Sequence, residues 1–152
     1  MMKDKQLVVS AIKNGTVIDH VPANVLFNVV SILKLDKLET MLTFGNNLES
    51  KKFGKKGIIK LSEIFFKDED INKIALVAPK AKLNIIRNYE VVEKKVVEVP
   101  DEIIGIVKCV NPKCITNNQP VTTRFYIISK EDLKLKCHYC EKITNRQNIE
   151  IL

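Results

Sequence analysis

The most definite chemistry in this 152-residue chain lies in its four cysteines. Cys109 and Cys114 enclose VNPK, Cys137 and Cys140 enclose HY, and 22 residues separate the two pairs. Two short knuckles, each presenting two sulfurs, are the pattern of a tetrahedral site for one zinc ion per chain. All four ligands come from protein, so the ion holds the fold together and has no open position for a reacting water. Iron suits the same cage. Four thiolates around a divalent ion leave net negative charge, and Lys108, Lys113, Lys136 and Lys142 flank the ligands to compensate it. A redox pair would need a βαβ setting, and neither Cys137 nor Cys140 opens a recognisable helix. Two disulfides would need an oxidising compartment. His138 lies inside the second knuckle and, with four thiolates at hand, reads as a surface residue.

A second constellation is GTVIDHVPA, residues 15 to 23, where Asp19 sits beside His20, one of only two histidines. Taken alone the pair is either a polar strand end ahead of Pro22 or a holder of something, and local pattern does not choose. The bulk numbers narrow the field. A hydrophobic fraction of 45% with 28% charged residues is the mix of a globular chain. Its net charge of +7 favours anionic partners such as nucleotides, nucleic acid or an acidic protein face, or else marks a lysine-rich solvated surface. No glycine-rich phosphate loop or nucleophile elbow occurs, and the two histidines are far apart, so an enzyme is not expected. Apolar runs stay well short of the roughly 18 residues that span a bilayer, and MMKDKQ lacks a signal-peptide core. A cytoplasmic protein without membrane contact is expected. Nucleic-acid binding by a basic zinc ribbon is the alternative function, although Phe125, Tyr126 and Tyr139 are the only aromatics in the C-terminal part to stack on bases.

These residues need elements to place them. QLVVSAI alternates as a strand and Asn14-Gly15 signals a tight turn. Val25, Leu26, Val29, Val30 and Leu33 recur at helical spacing behind Pro22. TMLTFGNNL reads as a strand, ESKKFGKKG as a polar exposed loop, and GIIKLSEI as a strand again. KDEDINKIALVAP predicts a second helix, with Asp68, Glu69 and Asp70 at its positive end and Ile71, Ile74, Ala75 and Ala78 on its buried stripe. AKLNIIRN and YEVVEKKVVEV supply one or two further strands. The order predicts an α+β chain whose N-terminal domain is a ferredoxin-like antiparallel sheet with two helices on one face. Beyond Pro100 helical periodicity ends, and IIGIV, RFYIIS, LKLK and IEIL read as short strands of a small all-β zinc ribbon. About 50 residues of short strands bury too little apolar surface to stand without a staple, and the cysteines provide it. Domains over 1–99 and 100–152 are expected.

In order and spacing, AIKNGTVIDHVPA, SILKL, IIKLSE, LVAPKAKLNIIRNYEVV and KCHYCEK, with C-x4-C ahead of C-x2-C, resemble the regulatory chain of aspartate carbamoyltransferase along essentially the whole sequence. The resemblance implies a non-catalytic allosteric subunit of pyrimidine biosynthesis. Its N-terminal domain would have five strands and two helices, bind CTP and UTP as inhibitors and ATP as activator, and pair with a second regulatory chain. Its zinc domain would dock on catalytic chains. It further implies that Ala11, Ile12, Val17, Asp19 and His20 line the nucleotide pocket, with main-chain groups of Ala11 and Ile12 on the base edge and Asp19 on a ribose hydroxyl. His20 and Lys94 would face the triphosphate, Lys60 would lie near base and ribose, and Asn84, Ile86, Tyr89 and Val91 would complete the wall. The cluster Lys51, Lys52, Lys55 and Lys56 is expected in an exposed loop, with Lys56 nearest the phosphates. Gln6 stands where the family carries a lysine.

Overall fold

In a computed structural model the described residues are 11–152, and they divide into two compact units between Glu98 and Val99. GTVIDHVP forms β1 (Gly15–Pro22), the central strand of the first unit. Its residues from Gly15 to Ile18 are all buried, as expected of a strand flanked on both sides and covered on at least one face. β2 (Leu42–Ser50), β3 (Gly54–Ser62), β4 (Lys82–Arg87) and β5 (Glu90–Val96) complete an antiparallel sheet in the order β2-β3-β1-β4-β5. The order of the first four strands is the ferredoxin-like one, with β5 added by a hairpin. The strand expected over QLVVSAI lies, as far as Ser10, outside the described residues, and Ala11 and Ile12 precede β1 without regular structure.

The first helix is α1 (Leu26–Ile32), entered through a 3-10 turn over Ala23–Val25. Leu26, Val29 and Ile32 form its buried stripe. They meet Ile18, Ile59, Leu61, Ile74 and Leu83 in a core whose members are each worth about 1.5–3 kcal/mol of burial. The second helix is shorter than its apolar period suggests: α2 covers Asp68–Ile71 and continues as 3-10 helix over Asn72–Leu76. A segment of nine residues closed by Pro79 is mostly helix end, where such tightening is common. Ile71, Ile74, Ala75 and Ala78 are nevertheless all buried, as the stripe requires.

One expectation about the sheet is overturned. ESKKFGKKG is not an open loop: β2 extends to Ser50 and β3 begins at Gly54, with Glu49 paired to Lys55 and only three residues turning between them. Polar composition concealed strand because this end of the hairpin is a two-sided solvated ribbon, with Gly54 at φ +79°. Lys56 therefore sits on a strand.

The second unit is a four-stranded antiparallel sheet, β6 (Glu102–Ile104), β7 (Arg124–Ser129), β8 (Lys134–Cys137) and β9 (Ile143–Asn145), in sequence order. Ile103, Ile106, Val107, Phe125, Leu133 and Leu135 are its buried aliphatic and aromatic residues, with Thr144 at the same depth. IEIL contributes only the Val107–Ile151 bridge, while β9, over ITN, was not expected as a strand.

Gly15 shows how tightly β1 is held. Its φ is +143°, and a Cβ there would overlap the Leu61 carbonyl oxygen of β3. Gly15→Ala should lower the stability of this unit by about 2–4 kcal/mol, read as a shift in urea midpoint at constant slope.

Candidate functional site

In the second unit all four cysteine Sγ atoms lie within 4.8 Å of one another, with Cys109 and Cys140 3.6 Å apart and Cys114 and Cys137 3.7 Å apart. These separations exclude disulfides, whose sulfurs sit about 2.05 Å apart. They match the edge of a tetrahedron with metal–sulfur bonds of about 2.3 Å, which is about 3.8 Å. The first knuckle is organised by asparagines. The Asn111 carbonyl accepts from the Cys114 N–H at 3.0 Å, and the Asn117 amide donates to the carbonyls of Cys109 and Asn111 at 3.0 and 2.7 Å. The second follows β8, where the Cys137 carbonyl accepts from Glu141 N–H at 3.0 Å and Glu141 takes φ +63°.

Thiol acidities show why a cation fits. Burial pushes the Cys109 thiol up to about 12 and raises Cys137 as well. At Cys140 burial also acts upward but is outweighed by hydrogen bonds from the Lys142 backbone, from Asn111 and from the Cys109 and Cys137 thiols, which bring it down to about 7. Four sulfurs this close, three of them buried, do not ionise together unaided, and a divalent cation at their centre reverses that preference. Lys136 pairs with Glu141 at 3.3 Å, and it is the backbone N–H groups of Asn111, Tyr139, Cys140 and Lys142 that favour the thiolates. Thr116 adds a hydroxyl 3.2 Å from Cys114 Sγ. His138 stays outside the cage, bonded to Tyr126 Oη at 2.8 Å and packed edge-on against Tyr139.

In the first unit, strand register gathers the other predicted residues. Val17 of β1 lies opposite Lys60 of β3 and Asn84 of β4, and Asn84 opposite Lys94 of β5. Directly opposed residues share a sheet face, so Lys60, Val17, Asn84 and Lys94 form one row across four strands. Ile86 and Val91 form a row to one side, and Asp19 with Lys82 a row to the other. The three rows span about 13 Å along the strands. Beyond the Ile86 row, the segment leading into β1 is tied to the β4–β5 turn: Tyr89 N–H donates to the Lys13 carbonyl at 2.9 Å and Asn88 N–H to Asn14 Oδ1 at 3.1 Å. This brings Ala11 and Ile12 toward the same end. Tyr89 and Val91 are 66% and 48% exposed, so neither belongs to the core.

At the opposite end β1 carries one extra residue against β3, between Ile18 and Val21. This bulge turns Asp19 and His20 out of the regular alternation, and His20 takes φ +60°. Its N–H donates to its neighbour's Asp19 Oδ1 at 2.6 Å, and the same oxygen receives Lys56 Nζ at 2.8 Å. His20 Nδ1 is buried and finds no hydrogen-bond partner among the described residues. Burial holds the imidazole below its ordinary 6.5, Asp19 opposes this, and Lys56, Lys82 and Lys52 reinforce it. Burial likewise lowers Lys60. Lys82 escaped the sequence reading of the pocket because register is not visible in a single strand, whereas Lys56 was expected nearest the phosphates but on a loop rather than on β3. Extending the Lys60–Ile58 alternation back by one step reaches Lys56 on its strand.

Residues 7–98 match the family described as aspartate carbamoyltransferase regulatory chain, allosteric domain, and residues 101–150 match its metal-binding domain. The chain belongs to the aspartate carbamoyltransferase regulatory-chain family. Relatives of that name include one from Bacteroides fragilis, 60% identical over the whole of both chains. One from Parabacteroides distasonis is 55% identical over 98% of this chain and 97% of its own, and one from Pyrococcus abyssi 55% identical over 95% and 96%. It is thus a non-catalytic regulatory chain with an allosteric and a metal-binding domain, in pyrimidine biosynthesis, and its four cysteines fit one structural zinc.

Structural zinc binding is worth about 10–16 kcal/mol in isolated zinc-finger peptides, which fold only with the metal. Chelation, or Cys114→Ala, should therefore unfold residues 99–152 while leaving the five-stranded unit folded. Loss of one zinc per chain by elemental analysis should coincide with collapse of only the C-terminal amide signals in a 15N spectrum.

Proposed function

We propose that the outer face of the five-stranded sheet binds nucleoside triphosphates as allosteric effectors, CTP and UTP inhibiting and ATP activating. The observation that carries this reading is the bulged end of β1, where Lys56, His20 and Lys82 gather around the single carboxylate of Asp19. A triphosphate carries about four negative charges at neutral pH, which lysine ammonium groups attract as point charges. Asp19 would accept a ribose hydroxyl, a recurrent nucleotide-binding device. Val17, Lys60 and Asn84 would lie under the ribose and base, with Ala11, Ile12, Ile86, Tyr89 and Val91 around the base, and Lys94 and His20 toward the phosphates. Lys56 joins them.

On this reading residues 1–99 are the effector domain, through which two regulatory chains pair, and residues 100–152 dock on catalytic chains in the cytoplasm. A bound nucleotide biases the whole assembly only through unequal affinity for its two states. The zinc cage would transmit that bias by holding rigid the loops that meet the catalytic chain. Calorimetric titration of the zinc-loaded chain should show CTP and ATP competing for one site per chain. Lys94→Ala should weaken all triphosphates about tenfold. Oligonucleotide binding with steep salt dependence, and no binding of free nucleotide, would replace this reading by the basic zinc-ribbon one.

The His20 shift gives a pH dependence with a definite sign. In the free chain His20 is held below 6.5, so it is largely neutral at pH 7. Added phosphate charge raises its pKa, so binding takes up a proton. CTP affinity should rise as pH falls through the raised value and level off below the depressed one. His20→Gln should flatten that profile, and the proton uptake is measured by calorimetry in buffers of different ionisation enthalpy.

A further inference from the structure

Lys82 stands apart from the residues that the family resemblance implies for the pocket, yet the fold puts it there. It lies directly across from Asp19 in the β1–β4 register, on the face that carries Val17 and Asn84. Asn84 faces Lys94, so Lys82 and Lys94 are diagonal neighbours about 7–8 Å apart at their Cα atoms. Asp19 is already occupied by the Lys56 ammonium and by the His20 N–H. Lys82 is exposed and forms no ion pair among the described residues, so its charge is left unbalanced on this face. Its ammonium is close enough to His20 to help hold that imidazole neutral. His20, Lys82 and Lys94 therefore mark out an arc of two ammonium groups and a neutral imidazole past the Asp19 carboxylate.

Resting on the nucleotide reading above, we propose that Lys82 contacts the terminal phosphates of the effector, so that this arc selects nucleoside triphosphates over di- and monophosphates. A ligand with one phosphate neutralises the part of the arc nearest the ribose and leaves Lys82 in water. Each further phosphate extends along the arc and brings anionic oxygens to a flexible ammonium that has no ion pair to give up among the described residues.

The test is calorimetric titration of the full zinc-loaded chain with CTP, CDP and CMP, for wild type, Lys82→Ala and Lys82→Arg. Lys82→Ala should weaken CTP about tenfold, CDP less, and CMP not measurably, with a smaller salt slope for CTP. Lys82→Arg should restore most of the CTP affinity, and melting temperatures should agree across the three chains because the residue is exposed. If wild type binds CTP and Lys82→Ala binds all three nucleotides with wild-type affinity, or loses the same factor for each, Lys82 has no phosphate role and the pocket stands without it. If wild type binds none of the three, the nucleotide reading fails first and takes this inference with it.

Discussion

Like charges held at close range have to be balanced, and each unit of this chain is organised around such a gathering. In the C-terminal unit it is four sulfurs within 4.8 Å, whose acidities split between about 12 at Cys109 and about 7 at Cys140. A cation at the centre removes the split, because each thiolate then interacts with it more strongly than with its neighbours. Without that balance a sheet whose fully buried apolar residues are few has little to hold it. In the N-terminal unit the gathering is of lysines, and among the described residues Asp19 is the carboxylate that meets it. There the core stands by itself, and on the proposed reading the remaining charge is balanced by a ligand.

The two gatherings are built by the same means, which is irregular backbone imposed on regular strands. A bulge in β1 turns Asp19 and His20 outward, and a matching bulge in β2 between Gly45 and Leu48 lies across the same stretch of β3. Gly57 sits between them, and a Cβ there would press on Leu26 of α1 and on the Asn46 side chain. The helix thus comes close to the sheet just where β1 departs from its pleat. In the C-terminal unit the strand β8 ends in the knuckle, with Cys137 opposite the buried Phe125, so the metal cage and the small core share a strand.

What was legible in the sequence follows from which signals are local. Cysteine spacing is local, and the cage assembled as expected. The stripe of α2 and the alternation of GIIKLS are local too, and they held even where α2 tightened into 3-10 helix, while in α1 Leu26 and Val29 held and Ile32 took the buried place expected of Val30 and Leu33. Lys82 and Lys56 belong to the face through register and pairing, which depend on residues 63 and 37 positions away from Asp19, respectively. A lysine on a lone strand looks solvated whatever stands opposite it. β9 went unseen because a strand as short as ITN carries no period, and IEIL pairs through a single bridge with two backbone hydrogen bonds, Lys108 N–H to Glu150 and Leu152 N–H to Ile106, too short to count as a strand. Backbone N–H groups, which every sequence possesses and none displays, also favour the thiolates, that of Lys142 among them.

On the proposed reading, opposite effects of CTP and ATP place a constraint on where discrimination occurs. Phosphates are common to both effectors, so the cationic end supplies affinity without direction. Direction has to come from the other end of the face, where a purine and a pyrimidine differ in size and hydrogen-bonding edge. That end is where Tyr89 and Asn88 hold the segment ahead of β1 through bonds to Lys13 and Asn14. Tyr89 and Asn88 both take positive φ, so the turn has little freedom to relax around a larger base. On that reading a base that does not fit would push instead on the entry to β1, the strand with partners on both sides. A displacement there would be passed to both β3 and β4, whereas the same displacement at an edge strand would meet one neighbour.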